Sequence, residues 1–221
     1  MTIPKGQRVI AMEEHYLDPN IVPHLPDKGA RFRGAVRANL DDIGEGRIKS
    51  MDQSGVDVQV LSNAPPGTQR MDAETGVRVA RLANDNLYEI CQTHPDRFAG
   101  FAMLPTADPK ASADELERCV DKLGFKGAMI HGLTGEERLF FDDTRFWPIY
   151  ERAQALDAPL YIHPAAPHPD VVDVYFKDYA EDYPALLGAG WGYSMETATT
   201  GIRIVLSGVL DKYPGVKIIL G

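Results

Sequence analysis

A parallel α/β fold is predicted by three observations. Short apolar runs alternate with amphipathic stretches of helical period along nearly the whole chain, the runs are almost continuously apolar, and most are bounded by Gly, Pro, Asp or Asn. Such alternation builds crossover units, and a strand covered on both faces needs apolar residues on both.

Six strands follow, over residues 9–15, 56–62, 98–104, 127–131, 159–163 and 216–220. Between the first two, Asp41 or Asp42 caps a helix that runs through Met51 and stops at Gly55. Asp72 caps the next, whose Val77, Ala80, Ala83, Leu87 and Cys91 share a face until His94-Pro95 ends it. The third has Asp108 at its cap and Pro109 at its first position, with Leu116, Cys119, Val120 and Leu123 turned inward before Gly124. A fourth spans 143–156, with Trp147 as a packing residue, and 185–210 reads as helix interrupted near 188–192 or at Gly201. Two long loops remain: 18–39, with Pro19, Pro23 and Pro26, and 165–184, with Tyr175, Phe176, Tyr179 and Tyr183. Loops of that length serve as lids and binding loops or as mobile connectors.

The 221 residues are 44% hydrophobic and 25% charged, which suits one globular domain with a sizeable core. Net charge is −9 without a basic stripe, which argues against nucleic acid or anionic membrane as a partner. Cys91 and Cys119 form no CxxC spacing and read as buried reduced thiols. Residues 1–6 lack the apolar core of a signal peptide, and no stretch approaches the roughly 18 apolar residues of a membrane span, so a cytoplasmic protein is expected.

The chemistry-bearing residues fall at strand ends. Glu13 and His15 stand two apart after an apolar run, so a strand turns both to one face. His163 ends another run, and on the C-terminal rim of one barrel the three would supply oxygen and nitrogen donors for Zn²⁺ or Mn²⁺. Taken singly, each reads first as a salt-bridged or solvent-facing strand end, and it is the joint placement that points to a metal. Glu14 should face away from Glu13. His131 also ends a strand, as a ligand, a substrate partner, a proton carrier or a packed rim histidine. After the second strand, turn formation accounts for Pro65, Pro66 and Gly67, leaving Asn63 and Gln69 as candidates to face the mouth. His24, His94 and His168 have structural explanations in loops and helix ends. Phosphate loops, GxSxG elbows and HExxH pairs are absent, so no nucleotide cofactor is expected.

Six strands fall short of the eight of a closed barrel, which usually takes about 250 residues. The expected architecture is therefore a (β/α)8 barrel with about six of its eight units in residues 1–221, a single domain truncated after the sixth strand.

Seven segments carry a joint signal: Ala11-Met12-Glu13-Glu14-His15, Arg47-Ile48-Lys49-Ser50-Met51-Asp52 with Gly55-Val56, Leu61-Ser62-Asn63-Ala64-Pro65, His94-Pro95-Asp96-Arg97-Phe98, Leu123-Gly124-Phe125-Lys126-Gly127-Ala128, Tyr161-Ile162-His163-Pro164, and Ser207-Gly208-Val209-Leu210-Asp211 through Ile219-Leu220-Gly221. Together they resemble the amidohydrolase superfamily, specifically its branch of metal-dependent decarboxylases that includes γ-resorcylate, 2,3-dihydroxybenzoate and aminocarboxymuconate-semialdehyde decarboxylases. The resemblance implies one divalent ion, Zn²⁺ or Mn²⁺, on Glu13, His15 and His163, a small carboxylic acid as substrate, and a dimer or tetramer. It further implies a catalytic histidine in a His-x-Gly-Glu segment and a metal-binding aspartate, both beyond Gly221, so no catalytic residue is assigned within this chain. His131 stands at a substrate-facing position where resorcylate-type relatives carry asparagine. The expected activity is non-oxidative decarboxylation of a small aromatic or unsaturated acid; the alternatives are metal-dependent hydrolysis of a lactone, ester or amide, and a truncated barrel without catalysis.

Overall fold

A computed structural model describes residues 6–25, 27–135 and 137–221; the expectations for residues 1–5 and Pro26 lie outside these. Seven strands occur among the described residues: β1 (Ile10–Tyr16), β2 (Val58–Asn63), β3 (Phe98–Gly100), β4 (Ala102–Met103), β5 (Ala128–His131), β6 (Leu160–His163) and β7 (Ile218–Leu220). All pairings are parallel, in the orders β1-β2-β3 and β4-β5-β6-β7. The single run expected over 98–104 is thus two strands. At Phe101 it changes partners, since Phe101 N donates to Leu61 O on β2 whereas Ala102 N donates to Gly127 O beside β5. The two sheets join into one arc of six lanes, the curvature of a barrel wall.

Eight α-helices accompany the strands among the described residues: α1 (Gly34–Asp41), α2 (Glu45–Ser54), α3 (Ala73–Thr93), α4 (Pro109–Asp121), α5 (Trp147–Ala155), α6 (Pro169–Tyr175), α7 (Gly192–Leu206) and α8 (Val209–Lys212). Asp72 and Asp108 cap α3 and α4 through their side chains, accepting from Thr75 N and Ala111 N. Three expectations are corrected. Asp41 and Asp42 do not start a helix: α1 occupies part of the predicted loop, α2 begins after Gly44, and the Asp42 carboxylate binds Gly44 N in the corner between them. Gly55 does end α2, at φ +70°, a conformation that L side chains adopt at a cost. The 165–184 loop contains α6, capped by His168, whose Nδ1 accepts from Asp170 N. The 185–210 stretch breaks at 188–191, as expected near 188–192, whereas Gly201 stays inside α7 and a second break, not expected, falls at 207–208.

Strand alternation divides the core. Leu61, Ala128, Ile130, Leu160 and Ile162 face outward onto the helices, joining Leu87, Leu116, Cys119, Ile149 and Tyr150. Truncating one such fully buried leucine, Leu116 for example, costs about 2–5 kcal/mol. Val60, Phe101, Met129 and Tyr161 form a separate inner layer with Ala99 and Ile219. Two residues further along β2, β5 and β6 come Ser62, His131 and His163, so the inner face becomes polar at the C-terminal rim. Cys91 and Cys119 are buried free thiols, and burial pushes the Cys91 thiol up to about 12. Trp147 packs on Tyr213 and donates to Asp142 O, as a packing residue would. No helix among the described residues is long and apolar enough to cross a membrane.

Candidate metal centre

β1 carries one more residue than its partner between Ala11 and Glu14: three steps on β1 match two on β2. This bulge precedes the rim, after which His15 pairs with Ser62 in regular register. On the other wall His131 pairs with His163. The structure brings the three predicted ligands together: one donor atom each from Glu13, His15 and His163 lie within 4.8 Å of one another. His15 Nε2 is 2.9 Å from His163 Nε2, and Glu13 Oε1 is 3.3 Å from His163 Nε2. Two ligands at about 2.1 Å from a cation and at right angles stand about 3 Å apart, so this donor set fits a divalent ion.

The surrounding contacts orient these donors. His15 Nδ1 lies 3.0 Å from Ser62 Oγ; donating there, it leaves the Nε2 lone pair for a cation. Tyr161 OH donates to Glu13 Oε2 at 2.5 Å, leaving Oε1 on the imidazole side. Burial lowers the pKa of His15 to about 4, reinforced by His163 and opposed by the Ser62 contact. Burial likewise lowers His163, against the pull of Glu13, and holds His131 well below the usual imidazole range. All three rings are therefore neutral at pH 7, the state a metal ligand requires.

His131 flanks the cluster, its ring centroid 4.9 Å from that of His163 and 6.0 Å from that of His15. Its Nε2 meets Asn63 O at 3.1 Å, and Gln69 Oε1 accepts from its backbone N at 2.6 Å. Gln69 thus reaches the rim but serves the β5 strand end. The Asn63 amide does not turn to the mouth: Oδ1 accepts from Asp18 N and Nδ2 donates to Ala64 O. Asn63 reaches the site only through its carbonyl. Glu14 faces away from the cluster, into a cavity of about 350 Å³ shared with Arg47, Asn39 and Gln59. Tyr175, Tyr179 and Tyr183 are solvent-exposed, whereas Phe176 beside them is buried.

Ser62 and Tyr161 are absent from the sequence-derived set. Strand period pointed to Tyr161, two residues before His163 on the same face, whereas Ser62 required the β1–β2 register.

A family model described as Amidohydrolase (Amidohydro_2) matches residues 15–221. The chain is 40% identical over 221 residues to the γ-resorcylate decarboxylase of Polaromonas sp. (strain JS666 / ATCC BAA-500), covering 96% of this chain and 65% of that enzyme. Among solved structures it is similar to a 2,6-dihydroxybenzoate decarboxylase complexed with 2,6-dihydroxybenzoate (TM-score 0.86, 36% identity, 97% of this chain and 67% of that one). It is also similar to the Polaromonas sp. JS666 dihydroxybenzoic acid decarboxylase with bound manganese and 2-nitroresorcinol (TM-score 0.84, 39% identity, 97% and 65%). The chain therefore spans about two thirds of the length of these relatives.

Proposed function

The chain belongs to the amidohydrolase family, and on that premise we propose that it is the metal-binding part of a non-oxidative decarboxylase acting on a small aromatic carboxylic acid. The observation that carries the reading is the convergence of Glu13, His15 and His163 within 4.8 Å on the rim of a parallel arc. A divalent ion, Mn²⁺ or Zn²⁺, would anchor the substrate through its carboxylate or a neighbouring oxygen and stabilise developing negative charge.

The chain's own residues prepare that site. Glu13, His15 and His163 supply the donors, Ser62 and Tyr161 orient two of them, and burial keeps the imidazoles neutral. His131 is the side chain we assign to the substrate wall, held by Asn63 O and Gln69. Residues 1–221 are read as one barrel domain that spans about two thirds of the length of its relatives. Assembly as a dimer or tetramer and a cytoplasmic location belong to the same proposal; light scattering tests the first and cell fractionation the second.

The test is CO₂ release from a panel of hydroxybenzoic acids by the Mn²⁺-loaded full-length protein, run in ¹⁸O-labelled water. Release of CO₂ that disappears with Glu13→Ala supports the reading. Label entering the product of a lactone, ester or amide, with no CO₂ released, assigns hydrolysis instead.

A further inference from the structure

We propose that Arg47 is a positioning residue for the metal ligand His15, an inference that rests on the metal reading above. Arg47 lies on α2, and its guanidinium is spent almost wholly on backbone carbonyls. Nη2 donates to His15 O at 2.7 Å and to Asn39 O at 2.8 Å, Nε donates to Asp42 O at 2.7 Å, and Nη1 donates to Gln59 Oε1 at 3.2 Å. One planar fork thereby ties the α1–α2 corner, β2 and the rim end of β1 together.

The position of His15 makes that tie consequential. Tyr16 O accepts from Ala64 N on the β2 side. Successive carbonyls of a strand point to opposite sides, so His15 O faces away from β2, where no described strand pairs with it. Just before it, the bulge between Ala11 and Glu14 interrupts the ladder. On that side Arg47 Nη2 supplies the hydrogen bond that His15 O accepts. Ser62 holds the His15 ring and Arg47 holds its backbone, which fixes the direction of Nε2 toward His163. Lysine cannot replace it, because an ammonium lacks the fork that reaches four acceptors on three elements.

Arg97 is an internal control at the opposite end of the strands. It too clamps backbone, donating to Asp57 O at 2.9 Å, Val56 O at 3.2 Å and Asp52 Oδ1 at 2.8 Å, but it touches nothing at the rim. The experiment is Mn²⁺ titration of the chain, followed by the electron paramagnetic resonance of the free ion, with thermal unfolding of the metal-free protein in parallel. Arg47→Met is expected to raise the Mn²⁺ Kd by about 10-fold or more, the range typical of residues that orient metal ligands, and Arg47→Lys by an intermediate factor. Arg97→Met is expected to lower the Tm and leave the Kd within about twofold of wild type. If Arg47→Met does not fold, Arg47→Lys carries the comparison. An unchanged Kd in the Arg47 variants, or an equal rise in Arg97→Met, overturns the inference. Absence of saturable Mn²⁺ binding by the wild-type chain overturns the underlying metal reading, and this is seen before any variant is made.

Discussion

His15 Nε2 and His163 Nε2, from residues 148 apart in sequence, lie 2.9 Å apart across the mouth of the arc. Two neutral imidazoles cannot both aim lone pairs at each other at that distance, so the pair must share a proton or a cation. A cation that binds only the folded chain stabilises it by about 2.7 kcal/mol at a hundredfold excess over Kd. For a chain of this size that is a rise in Tm of roughly 5–10 °C. Calorimetry with and without Mn²⁺ should show the rise in wild type, its loss with chelator, and none in His163→Ala.

The depressed histidines set the pH dependence of the metal-free fold. Folded His15 titrates near 4, against 6.5 unexposed to the fold, because burial disfavours its charged form; His131 and His163 shift the same way. Between about 6.5 and about 4 the unfolded chain therefore holds protons that the folded chain refuses, so stability is full above that window and falls with pH inside it. Inside that window His15 alone contributes a slope of up to about 1.4 kcal/mol per pH unit. Urea midpoints should drop steadily from pH 7 to pH 4.5, with a shallower drop in His131→Asn; a flat profile in wild type contradicts the assignment.

Local chemistry explains which features could be read from the sequence. Asp72 and Asp108 are legible because a cap needs only its own side chain and the next turn. His163 and Glu13 are legible because strand period places residues at run ends on a known face. The split at Phe101 is not, since one residue changes strand partners without any local signal. The Asn63 amide is equally hidden. Its partners, Asp18 N and Ala64 O, depend on how the β1 and β2 loops meet, and that is decided by packing. The corner at Asp42-Gly44 misleads for the same reason: the carboxylate satisfies a turn instead of opening a helix.

Tyr161 belongs both to the inner apolar layer and to the site. Its hydroxyl donates to Glu13 Oε2, and burial, followed by this bond to a carboxylate, raises its pKa. Tyr161→Phe keeps the ring in its layer but frees Glu13 to rotate. The expected result is a Mn²⁺ Kd raised by about 10-fold with a loss of only about 1 kcal/mol in stability. Isothermal titration and urea unfolding on the same preparation separate the two effects. Loss of stability without a change in Kd would confine Tyr161 to packing.

Glu196 is the reverse case, a carboxyl that the fold tolerates at a cost. It is 4% exposed on α7, and its Oε1 is buried with no hydrogen-bond partner among the described residues. Burial raises its pKa above the ordinary 4.5, so the folded state is penalised once the group ionises. The penalty is absent below about pH 4.5 and grows as pH rises through the folded value. Glu196→Gln removes the charge and keeps the shape, so it should stabilise the chain at pH 8 by about 1 kcal/mol, or roughly 2–4 °C in Tm. At pH 4 the two proteins should unfold together. A variant less stable than wild type at pH 8 would show instead that the Glu196 carboxylate is held by a positive partner in solution.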